Sequence, residues 1–177
     1  MNQISQTNNI ILTGFMGTGK STVGQLVAAE LGREFVDMDA LIEQNEGRTI
    51  SQIFAAEGEP YFRRLEADLC RSLAAASGLV IATGGGALIS AATLRVMEQS
   101  GLVICLDCEP ATLWQRIGQS EHRPMLADRD EGRFARLTAL LEQRTEAYRR
   151  IKHHLDVTHL SPTEVARRIC EFANGDL

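Results

Sequence analysis

The sequence predicts an α/β three-layer sandwich built on a parallel β-sheet. Three observations carry this. Short, continuous apolar runs recur along the chain and are separated by longer stretches with helical periodicity. The first run feeds directly into a glycine-rich loop, and that loop opens a helix. Boundary residues stand where the alternation needs them: Gly32 and Gly101 just past helix ends, and Ser161-Pro162 at a helix start.

Taken in order, residues 9–13 (NIILT) form the first predicted strand and residues 20–31 the first helix. A strand at 34–36 follows, then helices at 40–46, 50–57 and 60–76. Strands at 79–83 (LVIAT) and 102–106 (LVICL) bracket a helix at 90–100. Helices at 110–117 and 133–151, a strand at 155–157 and a helix at 162–173 complete the chain. Strands that are apolar throughout are buried on both faces. Right-handed crossovers then distribute the helices to both sides of the sheet. Residues 118–132 (GQSEHRPMLADRDEG) are polar and weakly periodic, and read as a long loop of the kind that serves as a lid. At 177 residues one domain with a substantial core is expected.

The composition narrows the function. A formal net charge of −5 argues against a general nucleic-acid binder, whose affinity rests on many Lys and Arg contacts to phosphate. Only Lys20 and Lys152 are lysines among 18 basic residues. The rest are arginines, which fork onto carboxylate and phosphate oxygens. Cys105 and Cys108 form a CxxC, but inside the run LVICLDC. They read as small residues in and just after a strand, not as a redox pair opening a helix. Reduced thiols, a cytoplasmic setting and no membrane span are expected. The polar start, MNQISQTNN, shows no signal-peptide pattern.

The strongest motif is Gly14-Phe15-Met16-Gly17-Thr18-Gly19-Lys20-Ser21, which matches GxxxxGK[ST]. A loop that wraps a phosphate must aim several N–H groups inward, through backbone angles glycine tolerates best. The following helix N-terminus adds partial positive charge. Lys20 is expected on the β- and γ-phosphates and Ser21 on Mg²⁺. No Asn-Lys-x-Asp guanine-reading motif is present. A small-molecule kinase is the simplest class.

Phosphoryl transfer needs positioning and charge neutralisation. Asp37 and Asp39, at a predicted strand end, point to one side in extended geometry. One can serve Mg²⁺ through water and the other a hydroxyl. Asp39 also precedes ALIEQNEG and reads as a possible helix cap. Arg63 lies one turn before Glu66, which can steer it. Gly84, Gly85 and Gly86 follow a strand end, where backbone can approach a ligand or simply turn. Arg123 offers a basic tip on the predicted lid, while Arg144, on a heavily charged helix, says nothing by itself.

The blocks GFMGTGKST, FVDMD, GRTISQIFAAEGEPYFRRLE, TGGGA, RPML and RTEAYRR together resemble the shikimate kinase family, in family order, over roughly residues 10–173. The resemblance implies a nucleoside-monophosphate-kinase-like P-loop fold with sheet order 2-3-1-4-5. It implies ATP and shikimate as substrates, one Mg²⁺, and a monomer. By position it implies Asp39, Arg63 and Arg144 as acceptor contacts along the Gly84–Gly86 edge, with Asp39 as base for the 3-hydroxyl. Asp37 becomes the water-mediated magnesium residue. Gly17, Thr18, Gly19, Lys20, Ser21, Thr22, Arg116 and Arg123 become the ATP contacts, with Arg116 near the adenine. Phe54 and Phe62 would wall the acceptor pocket, Glu66 would hold Arg63, and the helices over residues 39–66 would form the acceptor-binding part. The adenine-reading position near Leu160-Ser161 departs from the family pattern. A gluconate-type kinase is the main alternative.

Overall fold

The computed structural model describes residues 8–118 and 131–175. Its elements are β1 (Asn9–Gly14), α1 (Lys20–Leu31), β2 (Glu34–Asp37), α2 (Met38–Glu46), α3 (Ile50–Ala74), β3 (Leu79–Ala82), α4 (Ala91–Ser100), β4 (Gly101–Asp107), α5 (Pro110–Gly118), α6 (Glu131–Tyr148), β5 (His153–Asp156) and α7 (Pro162–Asn174). The five strands pair in parallel in the order β2-β3-β1-β4-β5, as the family resemblance implies. β1 is central and every residue in it is buried.

Alternation along the strands divides the core in two. Ile11, Ile81, Val103 and Cys105 pack toward α3, α4, α5 and α6. Ile10, Leu12, Val80 and Ile104 pack toward α1 and α7. A smaller cluster of Ile42, Ile53 and Phe62 fastens α2 to α3. Buried Asn9 ties the sheet to its surroundings: Nδ2 donates to the Ala76 carbonyl at 3.0 Å, and Oδ1 accepts from the Leu79 N–H at 2.9 Å. None of the described helices is long and apolar enough to cross a membrane.

Several boundaries differ from the sequence reading. The helices expected at 50–57 and 60–76 run on as α3, which is kinked at Gly58 (φ 77°, ψ 175°) just ahead of Pro60. The last strand begins at His153, not residue 155. It lies at a sheet edge, where alternate residues face solvent, so its leading histidines carry no apolar signal. α6 ends at Tyr148, three residues early. Cys105 is buried within β4, and half-buried Cys108 follows it.

Candidate active site

The phosphate loop connects β1 to α1. Gly14, Gly17 and Gly19 all have positive φ (133°, 83° and 91°). At Gly14 there is also no room: a methyl group would strike the Leu106 backbone carbonyl. Buried Thr18 closes the loop by donating from Oγ1 to the Phe15 carbonyl at 2.9 Å. Lys20 Nζ lies across the loop, donating to the Gly14 and Phe15 carbonyls at 2.9 Å each. These bonds hold the ammonium against the loop.

Asp37 joins this loop to α2. Its Oδ1 accepts from the N–H groups of Asp39 (3.0 Å) and Ala40 (3.3 Å), so Asp37 is the N-cap. The cap suggested for Asp39 is therefore corrected: the helix starts at Met38, and Asp39 sits in its first turn. The other Asp37 oxygen accepts from Ser21 Oγ at 2.5 Å.

Lys20, Ser21, Asp37, Asp39, Arg63 and Arg144 all line one cleft, about 690 Å³ counted out to its open mouth. Gly84, Gly85 and Gly86 line it too, as do Phe54 and Phe62, whose rings lie 4.9 Å apart. Each glycine of the triplet has a separate reason to lack a side chain. A methyl at Gly84 would lie 2.5 Å from Glu66 Oε1 and 2.7 Å from Asp39 Oδ1. One at Gly85 would lie 3.1 Å from Arg144 Nη1, and one at Gly86 would overlap the Arg63 guanidinium.

Arg63 is held from two sides. Nη1 donates to Glu66 at 2.5 Å, while Nε and Nη2 donate to Glu59 Oε1 at 3.0 and 2.8 Å. Burial pulls its pKa down, but the two glutamates more than offset this and the net shift is upward. Glu66 is 2% exposed. Burial raises its pKa, against the pull of the Arg63 cation. Among the described residues Glu66 Oε1 has no hydrogen-bond partner. Arg144 is 6% exposed, lies over the Phe15 ring at 5.5 Å and donates to the Gly85 carbonyl at 3.2 Å. Tyr148 donates to the same carbonyl at 2.6 Å, and burial pushes its phenol up to about 12.

The sequence model of the shikimate kinase family matches residues 16–174 of this chain. This chain belongs to the shikimate kinase family. It is 39% identical to the shikimate kinase of Geobacter metallireducens over 171 residues, 97% of this chain and 94% of the relative. It is 48% identical to that of Symbiobacterium thermophilum over 147 residues, 82% and 83% of the two chains. The solved shikimate kinase of Acinetobacter baumannii, in complex with shikimate, superposes with a TM-score of 0.88 at 35% identity, over 96% of this chain and 94% of that one. A gluconokinase of Sinorhizobium meliloti, at 17% identity and a TM-score of 0.54, shares the fold alone.

Not every expected residue lies in the cleft. Arg116 donates to the carbonyls of Val157 (3.0 Å) and Thr158 (3.4 Å), anchoring the segment after β5, and Thr22 is exposed on α1. Neither lines the cleft. Arg123 and most of the expected lid, residues 119–130, lie outside the described residues. Conversely, Glu59 and Tyr148 escaped the sequence reading. Glu59 stands four residues before Arg63, a spacing that signals a helical ion pair. Tyr148 is within the RTEAYRR block, but nothing local reveals its partner 63 residues away.

Proposed function

We propose that this chain transfers the γ-phosphoryl group of ATP to the 3-hydroxyl of shikimate, giving ADP and 3-phosphoshikimate, with Mg²⁺. One observation carries the reading: a carboxylate, Asp39, and two guanidinium groups, Arg63 and Arg144, share a cleft with the lysine of the phosphate loop. Shikimate is a small carboxylate bearing three hydroxyls. Arginines orient such an anion by paired, charge-assisted hydrogen bonds.

The loop N–H groups of Gly17, Thr18 and Gly19 bind the phosphates. Lys20 exchanges its carbonyl partners for β- and γ-phosphate oxygens and neutralises charge there. Ser21 Oγ and Asp37 Oδ2 are adjacent hard oxygen donors beside the loop, which suits Mg²⁺. Ser21 would hold the ion directly and Asp37 through water, and the ion would supply charge neutralisation on the phosphates. Arg63 and Arg144 grip the shikimate carboxylate against the Gly84–Gly86 edge. Asp39 accepts the 3-hydroxyl proton as the acceptor oxygen attacks phosphorus in line. Glu66, whose second oxygen lacks a partner among the described residues, holds Arg63 in place. The expected lid is narrowed to residues 119–130, since Gly118 belongs to α5 and residues 131–132 to α6; it would carry Arg123 to the phosphates, and Arg116 would be an adenine neighbour. The reading includes a single monomeric domain, acceptor-binding helices over residues 39–66, and a cytoplasmic enzyme.

A coupled ADP-release assay across shikimate, gluconate and nucleoside monophosphates tests this. Shikimate should support turnover at least about a hundredfold better than the others, a margin typical of polar sites that reject acceptors lacking the matching groups. Comparable turnover with gluconate would replace the assignment.

A further inference from the structure

The parallel pairing of β4 with β5 makes Cys105 and His154 register partners. Register partners in a parallel sheet project to the same face. Asp107, two residues along β4, projects there too. Three different metal-ligating groups from two neighbouring strands thus converge: Cys105 Sγ, an Asp107 oxygen and a His154 ring nitrogen all lie within 4.8 Å of one another. None of them lines the acceptor cleft.

The His154 imidazole faces an oxygen at each end. Nε2 is 3.0 Å from the Ile151 carbonyl and Nδ1 is 2.7 Å from Asp107 Oδ2. Both oxygens are acceptors, whereas a neutral ring carries one N–H. A neutral ring therefore satisfies only one of the two. With the N–H on Nε2, facing the carbonyl, Nδ1 presents a lone pair toward the carboxylate, and a metal ion held between them would satisfy both. A ring whose far N–H is anchored on a backbone carbonyl is the usual orientation of a metal-ligating histidine.

We propose that Cys105 Sγ, an Asp107 carboxylate oxygen and His154 Nδ1 form a binding site for a thiophilic divalent cation of the zinc class. Tetrahedral Zn²⁺, with bonds of about 2.3 Å to sulfur and about 2.0 Å to nitrogen and oxygen, sets S···O near about 3.5 Å and N···O near about 3.3 Å. Cys105 Sγ already stands 3.5 Å from Asp107 Oδ1. The His154 Nδ1 to Asp107 Oδ2 contact must open by about half an ångström, and the Cys105 sulfur and a His154 ring nitrogen, which lie within 4.8 Å of each other, must stand about 3.5 Å apart. The His154 and Asp107 side chains are partly exposed (34% and 45%) and can make these adjustments. Asp107 and His154 also border an open pocket, which leaves room for water as the fourth ligand. Mg²⁺, which prefers an all-oxygen shell, does not suit a thiol-containing set. Burial raises the Cys105 pKa, so the ion has to be one that binds thiolate strongly enough to displace the thiol proton.

Cobalt provides the test. The chelator-stripped 177-residue chain is titrated with Co²⁺, followed by the near-ultraviolet thiolate-to-cobalt charge-transfer band, and then back-titrated with Zn²⁺. The thiolate band should saturate with Co²⁺, disappear when Zn²⁺ is added, and be absent in Cys105→Ser. His154→Gln should weaken Co²⁺ binding by more than about a hundredfold. Because Cys105 is fully buried and its variant can fail to fold, Asp107→Asn and His154→Gln, at partly exposed positions, are measured beside it. No saturable band in the unmodified chain overturns the proposal. So does a band that survives both Asp107→Asn and His154→Gln undiminished, or one lost in Cys108→Ser but kept in Cys105→Ser. Cobalt at the Ser21–Asp37 position gives no thiolate band, so the outcome is independent of the kinase assignment.

Discussion

Gly86→Ala is a one-methyl change whose effect can be worked out from the cleft. The added carbon would lie 2.6 Å from Arg63 Cζ and 2.8 Å from Nη2, and closer still to Nη1. The backbone at Gly86 does not have positive φ, so alanine brings no backbone strain. The obstacle is the far end of a flexible side chain, which can swing aside. The fold therefore survives, but the guanidinium cannot stay between Glu59 and Glu66. Leaving its bond to Glu66 strands a nearly fully buried carboxylate, a loss of about 1–3 kcal/mol, reduced by the partial exposure of Arg63. Arg63 also leaves the position from which it is proposed to hold the acceptor. A charge-assisted bond to a substrate carboxylate is worth about 1.5–3 kcal/mol, so the shikimate KM should rise about 10- to 100-fold. The KM for ATP should stay within about twofold, since the phosphate loop is untouched. Initial rates with each substrate varied, and urea denaturation, measure both effects. A shikimate KM unchanged within twofold, or equal losses for both substrates, would mean that Arg63 does not hold the acceptor.

Three further outcomes are expected. Glu59→Gln removes the Nε/Nη2 partner of Arg63 from a largely exposed position. The shikimate KM should rise about two- to fivefold, the scale of exposed ion pairs, with kcat unchanged; a lower KM would mean that Glu59 competes with substrate instead. Tyr148→Phe deletes one hydrogen bond to the Gly85 carbonyl and should cost about 1 kcal/mol at neutral pH by chemical denaturation. The same variant tests linkage. An unfolded phenol ionises near about 10, whereas the folded one is pushed up to about 12. The folded state holds the extra proton across that window, so stability falls as pH rises through it, by up to about 3 kcal/mol. Tyr148→Phe should lack that part of the alkaline loss, and identical alkaline profiles would contradict the assignment. Ser21→Ala should raise the Mg²⁺ concentration needed for half-maximal rate by about tenfold or more while leaving the shikimate KM alone; an unshifted Mg²⁺ dependence would remove Ser21 from the ion's ligands.

Legibility from sequence followed the range of the interactions. The phosphate loop was readable because its geometry is local: three glycines, a lysine and a helix start within eight residues already imply the nest. The alternation of strands and helices was readable for the same reason, as buried parallel strands are apolar on both faces. The triple glycine was readable only as a strand end where backbone can approach a ligand or turn. Its meaning lies in Glu66, Asp39, Arg144 and Arg63, which approach it from α2, α3 and α6. Arg144 was silent, because its carbonyl partner is 59 residues away. Asp37 and Asp39 stood out as a pair, but which of them capped α2 depended on where β2 stopped. The edge strand β5 was misplaced because half of its residues face solvent.

In the proposed mechanism Asp39 acts on the acceptor hydroxyl while the surrounding arginines and the phosphate loop only bind and neutralise. Turnover of Asp39→Asn, measured together with shikimate binding by isothermal titration, tests it most directly. The kcat should fall by about 10²- to 10⁴-fold, the range for a general base, with shikimate still bound. Near-normal kcat in a folded, shikimate-binding variant would contradict it.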